Sequence, residues 1–355
     1  MEQSRLVLAR KVSHYSTSKL SRKVSSMNQQ INGLVLPPRI HYRRVAASAA
    51  PGTTTTTKSS KFDYDLYVKT KREAVSISLH RAFPPPLKQP ETLKMHEAMR
   101  YAVGGGRRTC PIACIAACEL VGGTQDDAMP GACALEMIKA SFCVQDDLPS
   151  IDDSELRHGK PTVHRAFGIP TALFAGTALL ALGFEHLAAR YSGDTAARMV
   201  AEVSRAIGST GLLAGQAVDL GIENPDRAVE LETLEFVHLH KTSALLEASL
   251  VAGAIAGGAS EQEIEALRAY GRVTGLLYQI VDDVADATKT MEELGKIPGQ
   301  DAMAGKSTYS TILGVDKSRE MVGELLVEAK ERLGVFEETK ALPLIHLANH
   351  FANWA

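Results

Sequence analysis

Apolar residues recur at helical spacing along most of this chain, in long segments that contain few turn-forming residues. Short runs of proline and glycine separate these segments. The prolines at 84–86 close a helix that begins near Tyr64, and the glycines at 104–106 close a helix over residues 91–102. No strand-like alternation of useful length occurs, so the pattern predicts an all-α protein.

Further helical segments follow in the same manner. The pattern predicts helices from Pro111 to Val121 and over residues 129–145, 171–189, 197–213, 231–256 and 260–286. Because Pro149 disfavours helical geometry at the residue before it, the chain should leave the helix near Leu148 and bend before Asp152. We therefore expect a single bundle of roughly ten or more helices over residues 63–355. We expect no transmembrane helix, since no stretch reaches about 18 uninterrupted apolar residues.

Residues 1–62 differ from the rest of the chain in charge. They carry 11 Lys and Arg against one acid, and they include the threonine run at 53–57. Such basic, hydroxyl-rich and acid-poor composition is typical of an organelle transit peptide. The hydroxyl content favours a plastid over a mitochondrion. A basic arm that binds nucleic acid is the alternative, but its charges would be clustered rather than dispersed.

Two clusters of aspartates lie at the ends of apolar segments. The first contains Asp146, Asp147 and Asp152, and the second contains Asp282 and Asp286, which are four residues apart and so share a helix face. Carboxylates gathered at an apolar wall raise each other's pKa. Mg²⁺ removes that penalty and shares a substrate's phosphates. The clusters therefore predict several Mg²⁺ that hold a diphosphate between facing helices; two unrelated exposed turns are the alternative.

Basic residues accompany both clusters. They are Arg107, Arg108, Arg157, His158, Lys160, Lys241, Lys296 and Lys306. Each alone is more often a solvated surface residue, but the two arginines follow a glycine turn and precede a helix, where backbone N–H groups and charge can bind phosphate. The chain has no Walker-type loop, so ATP or GTP is not indicated. Together, the acids and cations predict polyphosphate chemistry by charge stabilisation.

These residues resemble the motifs of trans-prenyltransferases, specifically plant geranylgeranyl diphosphate synthases. The resemblance covers about residues 63–355 and rests on the motifs at 146–152, 157–164, 215–219, 240–242 and 278–286. It implies an isoprenoid synthase-like bundle around a deep central cavity, with about three Mg²⁺. An allylic diphosphate would ionise, and isopentenyl diphosphate would capture the cation.

The resemblance also implies individual roles. Catalysis would fall to Asp146, Asp147, Asp152, Lys241 and Asp282, and Ser141 and Phe142 would form the cavity floor. The first of these floor residues would deepen the cavity, and the second would shorten it or merely pack against a neighbouring helix. The residues implied to bind substrate are Arg107, Arg108, Lys139, Arg157, His158, Gln216, Thr242, Gln279, Lys296 and Lys306.

The chain departs from the family pattern mainly on the side that the family uses for isopentenyl diphosphate. Cys110 and His158 stand where arginines are usual, and Lys139 replaces a histidine. The family's C-terminal end usually carries a basic residue, whereas no Lys or Arg follows Lys340 here. A cysteine cannot provide an arginine's bidentate grip, and each lost charge-assisted contact costs about 1.5–3 kcal/mol.

These departures keep three functions open. The first is condensation to geranylgeranyl diphosphate or a shorter homologue. The second is a diverged terpene synthase that ionises the allylic diphosphate without isopentenyl diphosphate, and the third is a partner subunit of a heteromeric synthase. Cys114 and Cys118 match a C-x-x-x-C pattern that in relatives supports pairing of large and small subunits, so a homodimer or a heterodimer is implied; a buried apolar stripe is the alternative.

Overall fold

The computed structural model describes residues 62–222, 229–294, 299 and 307–354. These residues belong to one compact unit, Lys61–Ala355. The transit-peptide prediction lies outside the described residues except for Phe62, and so do the predicted substrate-binding residues Lys296 and Lys306.

Almost all of the described chain is helical. The elements, in chain order, are α1 (Tyr64–Ala82), α2 (Pro90–Ala102), α3 (Thr109–Leu120), α4 (Gln125–Asp146), β1 (Leu156–Arg157), β2 (Lys160–Pro161), α5 (Val163–Phe167), α6 (Ile169–Arg190), α7 (Gly193–Ile207), α8 (Leu212–Ile222), α9 (Leu231–Val237), a π-helix (His238–Ser243), α10 (Ala244–Gly257), α11 (Glu261–Thr288), α12 (Met291–Leu294), α13 (Tyr309–Leu313), α14 (Val315–Arg332) and α15 (Glu338–Ala352). The two strands, of two residues each, pair as one antiparallel hairpin. The predicted all-α class is confirmed.

Polar caps explain where the two helices with aspartate clusters begin. Thr124 caps α4 through a reciprocal pair of hydrogen bonds with Asp127, so this helix begins four residues earlier than the apolar pattern predicts. Ser260 and Glu263 form the same capping box at the start of α11. Each helix ends in or near an aspartate cluster, which fixes the direction in which the carboxylates are presented.

Two predicted helices differ from the structure. The segment 197–213 is broken at residues 208–211, where a Cβ on Gly211 would lie 2.1 Å from the carbonyl oxygen of Ala206 and only glycine fits. The segment 231–256 is helical throughout, but its middle turn, His238–Ser243, is a π-helix. A π-turn is a rare form that is frequent at functional sites.

The core lies where α4 packs on α6 and where α10 packs on α3 and α11. Glycine permits the tightest of these approaches, because a Cβ on Gly253 of α10 would lie 2.0 Å from the carbonyl oxygen of Cys114. Cys114 and Cys118 are both fully buried in this layer. The structure thus supports the buried-stripe alternative, and neither sulfur is placed to touch a partner subunit.

Helix α6 is long and apolar enough to span a membrane, by length and composition alone. The sequence predicts a helix here, over 171–189, and no membrane span, because scattered polar residues interrupt its apolar runs. Its buried residues include Leu179, Leu182 and Leu187, as in the central helix of a helical bundle. On the opposite face Leu173 and Phe174 are exposed.

Candidate active site

The first aspartate cluster is folded back on itself. Helix α4 ends at Asp146, and after the bend the backbone N–H of Asp152 donates to the carbonyl oxygen of Asp146 at 3.0 Å. The predicted bend before Asp152 is confirmed. Burial raises the pKa of Asp146, and the charge of Asp152 raises it further, while Lys241 lowers it. The two carboxylates are therefore close enough to repel each other across the end of the helix.

Asp147 has a different environment from its neighbour. It is 2 % exposed, and Arg157 in the β-hairpin donates to it from Nε (2.9 and 2.8 Å to the two carboxylate oxygens) and from Nη2 (2.7 Å). This is a bidentate guanidinium–carboxylate pair. Both carboxylate oxygens of Asp147 thus accept hydrogen bonds from Arg157. The predicted role of Asp147 as a metal ligand therefore competes with a role in holding that arginine in place.

The π-helix carries the next site residue. Lys241 Nζ donates to Asp219 on α8 at 2.6 Å. Burial acts to lower the pKa of Lys241, but the carboxylates of Asp219, Asp146 and Asp152 outweigh it and raise the pKa. Lys241 therefore stays charged and faces the first cluster, and its place beside a diphosphate stays a prediction.

Thr242, the next residue, faces the opposite helix. Its hydroxyl donates to Gln279 Oε1 at 3.0 Å, and Gln279 Nε2 donates to Asp283 at 3.3 Å. Asp283 also accepts from the backbone N–H of Tyr309 at 2.9 Å, which fixes the start of α13. Consecutive residues of the π-helix thus contact α8 on one side and α11, the helix of the second cluster, on the other.

Glycines bring these two helices onto the π-helix. A Cβ on Gly215 of α8 would lie 2.4 Å from the backbone nitrogen of Lys241, and a Cβ on Gly275 of α11 would lie 2.5 Å from Cα of Ser243. Real Cβ atoms do not approach so closely. The separation between Lys241 and the two flanking helices is therefore set by backbone contact.

Gln216 lies beside this contact with no visible hydrogen-bond partner. It is 6 % exposed, and neither atom of its amide has a partner among the residues that the structure describes. A buried amide left without a partner costs about 1–3 kcal/mol. The side chain is therefore suited to a ligand or a water, as its predicted substrate-binding role requires.

The predicted isopentenyl-side residues divide into engaged and accessible groups. Arg108, in a left-handed backbone conformation, is buried and paired with Glu136 at 2.6 Å, and it also donates to the carbonyl oxygen of Val103 at 2.6 Å. This guanidinium supports the core, which differs from its predicted contact with substrate. Lys139 lies 3.5 Å from the same glutamate, while Arg107 is exposed.

Cys110 and His158 lie in the same neighbourhood. Burial raises the pKa of the Cys110 thiol, so it offers no charge to a phosphate. Burial, and then the charges of Lys139 and Arg157, lower the pKa of His158. His158 sits against Gly106, where a Cβ would lie 3.1 Å from its Nε2. The region therefore keeps Lys139 and the exposed Arg107, while the lowered pKa of His158 disfavours a positive charge on that ring.

The remaining predicted residues occupy the helices that the sequence assigned to them. Asp282 and Asp286 lie on α11, the latter 4 % exposed. Ser141 and Phe142 are buried on α4, and their effect on product length stays a prediction. Across the described ranges, no three His, Cys, Asp or Glu side chains converge as a ready-made metal site.

Sequence reasoning assigned no role to three residues near the site. Asp219, the partner of Lys241, lies one turn after Gln216 on α8, and that spacing was its signal. Lys289 and Trp354 also escaped notice, the first because it follows α11 and the second because an aromatic residue gave no indication of charge chemistry. Both lie with Arg107 in a contact described below.

Comparisons with known proteins agree with this architecture. Residues 93–341 match the sequence pattern of the polyprenyl synthetase family. The chain is 51 % identical over 300 residues to "Heterodimeric geranylgeranyl pyrophosphate synthase large subunit 1, chloroplastic" of Arabidopsis thaliana, covering 82 % of this chain and 80 % of that one. It is 50 % identical over 298 residues to "Geranylgeranyl pyrophosphate synthase, chloroplastic" of Catharanthus roseus, covering 83 % of this chain and 82 % of that one.

A solved structure shows the same fold. The crystal structure of a FPP/GFPP synthase from Zymomonas mobilis superposes with a TM-score of 0.69 at 31 % identity, over 81 % of this chain and 97 % of that one. The similarity therefore spans the whole described bundle rather than one motif.

Proposed function

This chain belongs to the polyprenyl synthetase family, and we propose that it condenses an allylic prenyl diphosphate with isopentenyl diphosphate to give geranylgeranyl diphosphate or a shorter homologue. The C1–O bond of the allylic substrate breaks and its diphosphate departs. The double bond of isopentenyl diphosphate then forms a new bond to that carbon, and a proton is lost to restore an alkene. The products are a diphosphate five carbons longer and inorganic diphosphate.

One observation carries this proposal: the π-helix connects the two aspartate clusters. Lys241 faces Asp146 and Asp152 on one side, and Thr242 reaches Gln279 on the helix of Asp282 on the other. A diphosphate bound between these helices would meet carboxylates, an ammonium group and an amide in one place. Charge that develops on the leaving diphosphate is then stabilised by groups already in position.

The donor set fits Mg²⁺. Burial and the neighbouring Asp152 raise the pKa of Asp146, which is the penalty that a bound divalent cation relieves. We assign Asp146, Asp152, Asp282 and Asp286 to this ion or ions, and Asp147 to the orientation of Arg157. Bound Mg²⁺ would neutralise the diphosphate and make it a better leaving group.

The residues on the isopentenyl side decide which function is the second candidate after condensation. Cys110 is buried and uncharged, and Arg108 is committed to Glu136. These two changes favour a terpene synthase as the second candidate, because such an enzyme ionises the allylic substrate and requires no second diphosphate. Arg107, Lys139 and Arg157 nevertheless remain around His158, which is why condensation is preferred.

We extend two further properties to this chain from its relatives. Plastid localisation is proposed, since the relatives named above are chloroplastic and residues 1–62 have transit-peptide composition. A dimer, either of identical chains or with a related subunit, is also proposed because one relative is the large subunit of a heterodimer. The exposed Leu173 and Phe174 on α6 offer an apolar surface for such pairing.

The test of the proposed function uses purified protein, Mg²⁺ and labelled geranyl or farnesyl diphosphate, with and without isopentenyl diphosphate. Longer diphosphates that form only when both substrates are present support condensation. Release of a terpene from the allylic substrate alone would replace it with the second candidate. No turnover in either mixture, with product change when a related synthase is added, would identify a partner subunit.

A matched pair of variants tests the metal assignment. Asp146→Asn should abolish turnover, because it removes a half-buried carboxylate that faces Lys241. Asp153→Asn should change turnover less than about twofold, since this side chain is 54 % exposed, pairs at the surface with Arg165, and lies 3.7 Å from Nε2 of His164. Full activity in Asp146→Asn would refute the Mg²⁺ assignment.

A further inference from the structure

The end of the chain brings an aromatic ring onto two cations. Trp354, the only tryptophan in the sequence, follows α15. Its ring centroid lies 5.6 Å from Cζ of Arg107 and 4.6 Å from Nζ of Lys289, and both charges lie over the ring. Each such cation–π contact is attractive. The indole therefore gathers two positive charges that would otherwise repel each other.

This contact lies beside the proposed active site. Arg107, Asp282 and Trp354 line one small cavity together with Tyr278 and Phe351. Phe351 packs edge-on against Tyr278 of α11, with ring centroids 4.9 Å apart, which ties the last turn of α15 to the helix of the second aspartate cluster. The indole thus stands between an arginine of the isopentenyl side and a carboxylate of the allylic side.

Stacking on an indole constrains a guanidinium without using its hydrogen bonds. Arg107 Cζ lies over the ring, and a guanidinium held in this way keeps its N–H donors available for bidentate contact with a phosphate. Arg107 is exposed and would otherwise sample many rotamers. Lys289 is half-buried, so its ammonium group is held near the same place.

We propose that Trp354 is a positioning residue for Arg107, and that Lys289 is an additional binding residue for the diphosphate group of isopentenyl diphosphate. This inference rests on the proposed condensation. It gives the chain a cation near Arg107 where Cys110 supplies none. The ring sets the plane of one cation and the position of the other, and the two then contact the phosphates directly.

The first test is steady-state kinetics of the full-length chain. Trp354→Ala and Lys289→Ala should each raise the KM for isopentenyl diphosphate about tenfold, equivalent to about 1.4 kcal/mol, with the KM for the allylic diphosphate changed less than twofold. Trp354→Phe should restore most of the loss, because phenylalanine keeps a ring face for Arg107. Lys330→Ala, which removes an exposed lysine on α14, is the control for loss of charge.

The second test is independent of turnover. Since Trp354 is the sole tryptophan, emission on excitation of tryptophan reports on this contact alone. Titration with isopentenyl diphosphate, without allylic substrate, should change the emission and saturate. Lys289→Ala should shift the midpoint about tenfold to higher concentration, and Lys330→Ala should not shift it.

The outcomes separate this inference from the proposed function. Normal condensation with an unchanged KM in Trp354→Ala and in Lys289→Ala would overturn the inference and leave the function intact. A KM that rises in Trp354→Ala but is not restored by Trp354→Phe would also overturn it, because the loss would then be structural. Absence of condensation with a saturable emission change would refute the function alone, and absence of an emission change in the wild type would refute the positioning role.

Discussion

Replacing Asp147 with asparagine tests whether this residue holds Arg157 or a metal ion. Arg157 donates three hydrogen bonds to its carboxylate at 2.7–2.9 Å, and this pairing raises the pKa of Arg157 against the opposing effect of burial. Asparagine keeps one acceptor oxygen but removes the charge, so the guanidinium is no longer fixed in plane.

The magnitude follows from the exposure of the pair. Hydrogen bonds to charged groups contribute about 1.5–3 kcal/mol each when well shielded. Asp147 is buried, but the Arg157 side chain is 37 % exposed, so water screens the pair and a total near the low end applies. A loss of about 2 kcal/mol corresponds to roughly a 30-fold change. We expect Asp147→Asn to raise the KM for the allylic diphosphate by this factor.

Initial rates measured against both allylic diphosphate and Mg²⁺ provide the assay. In Asp147→Asn the Mg²⁺ concentration for half-maximal rate should stay within twofold of the wild type, whereas Asp146→Asn should abolish turnover. Asp153→Asn, in the same loop, is the matched control and should change neither quantity by more than twofold. The reasoning would be refuted if Asp147→Asn raised the Mg²⁺ requirement tenfold or more while the KM for substrate was unaffected.

Three further predictions concern the surroundings of the π-helix and the isopentenyl side. Gly215→Ala should lower Tm and activity, because its Cβ would lie 2.4 Å from the backbone nitrogen of Lys241 and overpacking typically costs about 1–3 kcal/mol. Gly221 lies on the same helix with open space around it, so Gly221→Ala should change neither Tm nor activity. Burial lowers the pKa of His238 from 6.5 to about 4, so between these pH values the unfolded chain binds a proton at this residue and the folded chain does not. Urea unfolding should therefore show about 2 kcal/mol less stability at pH 5 than at pH 7 from this residue. His238→Asn should remove that difference in stability, and an unchanged pH dependence would contradict the assignment. His158→Arg restores a charge and should lower the KM for isopentenyl diphosphate about tenfold in initial-rate assays, and an unchanged KM would remove this position from the binding site.

Apolar periodicity and the prolines and glycines that interrupt it predicted most of the fold because they are local signals. The bend before Asp152 follows from Pro149 alone, and the return of that carboxylate to Asp146 is confirmed by a backbone hydrogen bond. The break at residues 208–211 was missed, although two glycines and two hydroxyl residues mark it. The surrounding apolar positions continue at helical spacing across the break, so they concealed it.

The site was less predictable because its geometry depends on partners distant in sequence. Arg108 read as a phosphate-binding residue, yet its position is decided by Glu136, which lies 28 residues further along. The roles of Lys241 and Thr242 depend on a π-turn, which leaves no periodic signature in the sequence. Trp354 and Lys289 follow different helices, α15 and α11, and they meet only in the folded chain.

The π-turn also bears on how this protein can change in evolution. Loss of a single codon within 238–243 would leave α9, the turn and α10 as one regular α-helix, since a π-turn holds more residues than an α-turn. Because the wider turn takes up the extra residue, α9 and α10 would keep the relative orientation they have now. Lys241 and Thr242 could not both keep their places in the shortened turn, so the contacts with α8 and α11 could not both survive. Such a deletion would yield a folded, helical but inactive descendant. A duplicated copy that has lost this codon would be available for a role other than catalysis.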